Sequence, residues 1–333
     1  MKNSRIIFGT SALGNLYTAI PFNDKKAIVE QCLRHAVKPV IFDSAGKYGA
    51  GLALEVLGRC LKELNVPKGD VIISNKLGWY RTPLKTPEPT FERGVWKEID
   101  YDAAQHISYE GIMECYKQGN VLLNGYLPQW VSIHDPDEYL AAAGDEQTRE
   151  MRYKDLLAAY KALAELKRMG KVSRIGIGAK DWRVIQRLHQ DIQLDWVMFA
   201  NSITIMKHPK EVLDFVKVLH EEGVEVINSA IFHSGFLVGT NYFDYRLVTE
   251  ATDKELFQWR NQFIEVCDIF GVRPAEACVQ FALNIAGIDK IALNTTRPDR
   301  VSRNISMVSA DIPDKFWDAL KTRGLISSYY PFR

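Results

Sequence analysis

Four residues at or near the ends of apolar runs carry the chemistry this sequence can offer: Asp43, Tyr48, Lys76 and His134. Val40-Ile41-Phe42 stops at the carboxylate of Asp43, and a phenol, Tyr48, follows five positions later. Val71-Ile72-Ile73-Ser74-Asn75 runs to Lys76, and Trp130-Val131-Ser132-Ile133 runs to His134. A buried run that empties into polar residues fits a parallel strand feeding a βα loop, where α/β enzymes place their chemistry. Each residue alone also has a plainer reading: Asp43 caps a loop, Tyr48 covers apolar surface, Lys76 surfaces, and His134 is hydrogen-bonded in its loop. Together they form an acid/base device. A phenol with a reference pKa near ~10 is a poor proton shuttle at neutral pH. A neighbouring ammonium favours the phenolate and lowers that pKa, a carboxylate holds the ammonium, and an imidazole orients the substrate oxygen.

The elements that must position these groups alternate along the chain. Apolar runs at 6–11, 40–42, 71–76, 130–136, 174–178, 196–200, 224–229 and 290–294 read as strands. Helical stretches lie between them, among them 25–35 opened by Asn23-Asp24, 52–64, 108–118 and 209–222, with 254–269, 274–286, 298–306 and 313–323 towards the end. Leu156, Tyr160, Leu163, Leu166 and Met169 give the clearest helical period, and Gly170 stops it. Trp79 to Tyr101 has no clear period and reads as an ordered, aromatic-bearing loop beside a pocket. No composition break marks a linker, so residues 1–333 are expected to form a single (β/α)8 TIM barrel with extra helices and a long loop after strand three. A doubly wound sheet is the runner-up.

A chain of 333 residues that is 47% apolar and 25% charged can bury a sizeable core, and a net charge of +1 supplies no basic stripe for a nucleic acid. Five cysteines without a C-x-x-C pair suit free thiols in a reducing compartment. No run is long enough to span a membrane, and Ile6-Ile7-Phe8 is too short for a signal segment. A cytoplasmic protein without a metal centre is expected, its oligomeric state open. Gly176-Ile177-Gly178 and Gly49-Ala50-Gly51 do not complete a dinucleotide fingerprint, and P-loop, zincin, hydrolase-elbow and Tyr-x-x-x-Lys patterns are missing.

With Gly9-Thr10, Asp43-Ser44-Ala45 through Tyr48-Gly49, Glu55-Val56-Leu57-Gly58, Ser74-Asn75-Lys76, His134-Asp135, Lys171 to Gly176 and Arg300 to Asn304, the chain resembles the aldo-keto reductase superfamily. The resemblance covers nearly the whole chain. It implies a barrel, a nicotinamide cofactor lying extended across the strand exits, and a catalytic tetrad of Asp43, Tyr48, Lys76 and His134, the set already reached from the residues. Cofactor contacts implied by the same resemblance fall on Gly9, Thr10, Asp43, Lys180, Asn201, Phe232, Ser234, Gly235, Thr295, Arg300 and Asn304, and substrate contacts on Trp79, His134, Trp182 and His233.

Tyr48 to Leu52, His134 to Asp137, Ile177 to Trp182 and Phe232 to Leu237 look like the sugar-oxidising branch, the D-threo-aldose 1-dehydrogenases. That branch tends to have Asn where this chain has Lys180 and His233, and many reductases carry Lys-Ser at Asn294-Thr295. NAD is therefore expected to serve at least as well as NADP, with Arg300 and Arg297 the remaining cations. Trp79, Trp96, Trp182, Phe232 and His233 supply rings for a pyranose, at least two of the five being expected to serve packing. The expected reaction is oxidation of an L-fucose-like aldose to a lactone. Its rivals are pyridoxal oxidation or aldehyde and ketone reduction at the same site, and a nicotinamide-binding regulatory subunit without turnover.

Overall fold

The computed structural model describes residues 5–244 and 246–331. Eight parallel strands close into a barrel: β1 (Ile6–Gly9), β2 (Val40–Ala45), β3 (Val71–Leu77), β4 (Trp130–His134), β5 (Arg174–Ala179), β6 (Trp196–Ala200), β7 (Glu225–Ser229) and β8 (Lys290–Leu293). Each strand pairs with its sequence neighbour, and β8 closes the ring on β1 with Ile291 opposite Ile6. The strand–helix alternation thus becomes the (β/α)8 TIM barrel.

Side chains alternate along a strand, so every second residue points into the barrel. At the lower end Glu225 pairs with Arg174 at 2.7 Å and with Lys290 at 2.9 Å. Above this ionic layer Ile7, Ile41, Trp130, Trp196, Met198 and Ile227 form an apolar plug, the two indoles 6.1 Å apart. Gly176 makes room for it, since a Cβ there would lie 2.1 Å from the Trp196 ring. Towards the strand exits the filling turns polar, with Asp43, Ser74, Lys76, Ser132 and His134 all buried.

The helices pack outside: α1 (Phe22–His35), α2 (Leu52–Glu63), α3 (Tyr109–Leu122), α4 (Pro136–Ala141), α5 (Glu146–Arg168), α6 (Trp182–Asp191), α7 (Lys210–Glu221), α8 (Lys254–Phe270), α9 (Pro274–Leu283), α10 (Val301–Ser306) and α11 (Asp314–Thr322). Two apolar clusters lie between strands and helices, one around Leu54, Leu57 and Ile73, the other around Leu163, Phe199 and Phe281. All five cysteines are free and buried, Cys32 and Cys60 in the first cluster, Cys115, Cys267 and Cys278 in the second. Burial pushes each thiol up, Cys60 and Cys115 to about 11. α5 is capped as its sequence suggests: Asp145 accepts from the Thr148 amide at 2.7 Å, and Gly170 ends the helix with φ of +66°.

Three local expectations change. α1 starts at Phe22, directly after Pro21, so Asn23 and Asp24 lie inside its first turn rather than before it. The pre-set φ of Pro21, −58°, places the chain for helix entry without a side-chain cap, and Asp24 complements the helix dipole. β4 stops at His134, because Asp135 turns left-handed with φ of +49° and Pro136 opens α4. The stretch from Trp79 is no plain loop: 79–83 and 101–105 pair antiparallel, Trp79 opposite Gln105, and the connection 84–100 folds back to bridge Leu16 through Trp96. A second small hairpin, Tyr242–Phe243 with Arg246–Leu247, follows β7. Among the described residues no helix is long and apolar enough to cross a membrane, and no cluster of His, Cys, Asp and Glu is arranged to hold a metal ion.

Candidate active site

The barrel register brings the four chemistry-bearing residues together. Asp43 lies opposite Ser74, and Lys76 opposite Ser132, on inward-facing positions of β2, β3 and β4. Asp43 Oδ2 forms an ion pair with Lys76 Nζ, while Asp43 Oδ1 accepts from Ser74 Oγ at 3.0 Å. Lys76 Nζ also donates to Tyr48 Oη at 3.1 Å. Tyr48 reaches this point from the turn after β2. That turn rests on Gly14, and a Cβ on Gly49, whose φ is +61°, would lie 2.3 Å from the Gly14 carbonyl oxygen. The Tyr48 ring stands edge-on to His134 at 5.4 Å and packs on Trp96 at 5.8 Å.

Burial raises Tyr48 above its ordinary value, Lys76 pulls it down, and Asp43 pushes it up again, with a net rise. The net lowering expected from the sequence is therefore not found. Removing a phenolate from water costs more than one ammonium, already paired with a carboxylate, returns. Burial disfavours the charge on Lys76 as well, but Asp43 and Tyr48 outweigh it and keep the ammonium. Burial lowers His134 to about 3, against the pull of Asp135 and with Lys47, Lys76 and Lys180 adding to the lowering, so the imidazole is neutral. Its Nδ1 is buried without a partner.

A second charged group adjoins the first. Lys47 Nζ, on a side chain only 4% exposed, meets Glu92 at 2.7 Å, Asp135 at 2.9 Å and Glu138 at 3.2 Å, and lies 5.2 Å from the centre of the Trp79 ring. Lys180 pairs with Glu138. Asp135 Oδ2 is 3.5 Å from His134 Nε2, and its carboxyl is held well below the usual range: His134, Lys47 and Lys180 together outweigh the effect of its burial. Of the charged group formed by Lys47, Glu92, Asp135, Glu138 and Lys180, only Lys180 was singled out from the sequence for binding. Ser74 had a signal, its two-residue spacing from Lys76; Lys47, Glu92 and Glu138 had none.

The residues expected to hold a dinucleotide divide between two parts of the strand-exit rim. Gly9, Thr10, Thr295 and Asn304 line a small void of about 20 Å³ near the β1 and β8 exits. Thr10 Oγ1 donates to the Asp43 carbonyl at 3.0 Å. Arg300 leads into α10, whereas Arg297 is tied to Asp299 by two hydrogen bonds of 3.1 and 2.8 Å. Asn201, just past β6, is buried with φ of +57° and leaves Oδ1 without a partner. That orphan acceptor fits an amide donor of a bound nicotinamide. Lys180 turns its ammonium to Glu138, leaving its carbonyl to accept from Ser202 Oγ at 2.6 Å. Phe232 packs against both outer apolar clusters, and Gly235, with φ of +93°, turns the chain just after Ser234.

The residues expected to meet the substrate are not all presented alike. Trp79 is half-buried with its indole Nε1 unpartnered. Trp182 packs on Phe215 at 6.3 Å, and Trp96 is buried. His233 is fully buried: its nitrogens bond Thr204 and Asp244, both at 2.7 Å, and its ring stacks on Phe243 at 4.5 Å. Its hydrogen-bonding capacity is spent on Thr204, past β6, and on Asp244 of the small hairpin.

A closed (β/α)8 barrel whose strand exits gather Tyr48, Lys76, Asp43 and a neutral His134 defines a barrel enzyme with an acid/base site. The chain belongs to the aldo/keto reductase family, which it matches over residues 5–323. It is 25% identical to a pyridoxal 4-dehydrogenase of Microbacterium luteolum over 96% of this chain and 93% of that protein. A D-threo-aldose 1-dehydrogenase of a Pseudomonas species is 22% identical over the same shares, 96% and 93%. In fold it is similar to an aldo-keto reductase of Bacillus halodurans in its holo form, with a TM-score of 0.68 and 19% identity over 99% of this chain and 95% of that one.

Proposed function

We propose that the protein oxidises a free aldopyranose, L-fucose or a sugar of the same ring stereochemistry, at its anomeric carbon to the lactone. The observation that carries this reading is Tyr48 Oη, 3.1 Å from the Lys76 ammonium and beside a neutral His134 whose Nδ1 is unpartnered. A bound nicotinamide supplies the hydride acceptor. In the step, His134 bonds the substrate oxygen, Tyr48 as phenolate takes the proton of the anomeric hydroxyl, and the C1–H bond gives up its electron pair as hydride while C1–O becomes a carbonyl. The half-buried ring of Trp79 offers a face for the apolar side of a pyranose.

Pyridoxal is the second reading, favoured by the relative that oxidises it. Pyridoxal carries a hydroxymethyl group beside its formyl group and closes to a cyclic hemiacetal, the functional group an aldopyranose also presents. A panel of aldoses, simple aldehydes and pyridoxal with NAD and NADP, read by reduced cofactor and by product identification, decides between them. If no aldose is oxidised while pyridoxal or simple aldehydes turn over, the sugar reading is overturned. Tight nicotinamide binding without any turnover would instead indicate the regulatory role.

NAD is expected to serve at least as well as NADP. The Arg297 guanidinium is engaged by Asp299 and Asn294 offers no charge, leaving Arg300 as the cation for an adenosine 2′-phosphate. The ratio of kcat/KM for the two cofactors tests this, and a large NADP preference that vanishes in Arg300→Ala would show that one cation suffices.

A further inference from the structure

We propose that Glu92, on the connection between the two hairpin strands, is a positioning residue for Tyr48; the inference rests on the reading of Tyr48 as the proton relay. Both carboxylate oxygens of Glu92 are committed. Oε1 meets Lys47 Nζ at 2.7 Å, and Oε2 accepts from Trp96 Nε1 at 2.7 Å. Lys47 immediately precedes Tyr48, and the Trp96 ring packs on the Tyr48 ring. One carboxylate therefore grips the phenol from two sides, through its backbone neighbour and through its ring neighbour. Glu92 itself adopts φ of +43°, a conformation that non-glycine residues avoid, and the Val95 amide donates to its carbonyl at 3.0 Å. The segment around it is held independently: Tyr17 donates to the Val95 carbonyl at 2.8 Å, and the Asn15 side chain donates to Lys97 at 2.9 Å.

Charge balance does not account for Glu92. Lys47 and Lys180 are matched by Asp135 and Glu138, and a third carboxylate adds a surplus negative charge beside them. What Glu92 contributes that the other two cannot is the link to Trp96, and hence to the orientation of the phenol relative to Lys76 and His134. A displacement of a reacting group by about 1 Å can cost on the order of 100-fold in rate.

The test is steady-state kinetics on Glu92→Ala, Glu92→Gln, Trp96→Phe and the double variant Glu92→Ala/Trp96→Phe, with whichever substrate the panel identifies. Glu92→Ala is expected to lower kcat about 10- to 100-fold with substrate KM and cofactor affinity within about threefold. Glu92→Gln keeps an acceptor for one of the two donors and should lose less. In the double variant the loss should equal that of the worse single variant, since both act through one contact. Unchanged kcat in both Glu92 variants, a change confined to KM, or losses that multiply in the double variant would each overturn the proposal. If Glu92→Ala does not fold, Glu92→Gln decides. Tyr48→Phe, assayed in parallel, separates the two ideas: turnover by that variant removes the proton-relay reading, whereas an inactive Tyr48→Phe beside an unimpaired Glu92→Ala removes only the positioning role.

Discussion

Tyr48 and His134 share one burial and respond to it in ways that matter differently. For oxidation the phenol must first lose its proton, so the rate should climb with pH through the Tyr48 value, which burial holds above the usual ~10. Lys76 is the group that pulls that value down. Lys76→Met is expected to move the alkaline limb of the kcat profile to still higher pH, and an unchanged profile in an active variant would remove Lys76 from the mechanism. His134 affects stability. Its folded value of about 3 lies below the ~6.5 of an unfolded chain, so the unfolded state takes up a proton that the folded state refuses. The contribution is complete above pH ~6.5 and declines as pH falls towards about 3, by up to ~1.4 kcal/mol per pH unit. Melting temperature should therefore fall between neutral pH and pH ~5, and His134→Gln should flatten that slope.

At the level of elements, β5 and β6 meet where the bare backbone of Gly176 lies against the Trp196 indole, with no room for a Cβ. Gly176→Ala should destabilise the protein by about 3 kcal/mol or more, because the plug has no space to yield, and Trp196→Phe should recover part of the loss in thermal melts. The barrel strands were legible because eight short apolar runs alternate with helical stretches, three of the runs leading to Asp43, Lys76 and His134, and the two-residue period then fixed which side chains face inward. The hairpin at 79–83 and 101–105 was not legible. Tyr101-Asp102-Ala103-Ala104-Gln105 contains no β-branched residue, and Asp102 is buried there with Thr90 donating to it from the connection, at 2.7 Å through its hydroxyl, and the Ala103 amide donating at 2.8 Å. The second charged group was hidden for a similar reason. A lysine beside a tyrosine ordinarily surfaces, and the carboxylates that bury Lys47 come from three places along the chain, 92, 135 and 138.

Across the whole molecule the barrel separates stability from chemistry along its axis. The Arg174–Glu225–Lys290 layer closes the lower end, and the Tyr48 site occupies the upper one. Glu225→Gln leaves two partly buried cations without their carboxylate and should cost about 3 kcal/mol, the low end for removing one partner of a buried pair, with kcat/KM held within about twofold. The buried cysteines give the fold a built-in clock. An alkylating reagent added to the native protein finds no thiolate to attack, so each modification records an opening event and not an encounter with the surface. Cys32 and Cys60 time one flank of the barrel, and Cys115, Cys267 and Cys278 the other. Pulsed alkylation read by peptide mass would thus tell whether the two flanks breathe together, as a ring stitched edge to edge demands, or whether one flank loosens while its neighbour stays shut.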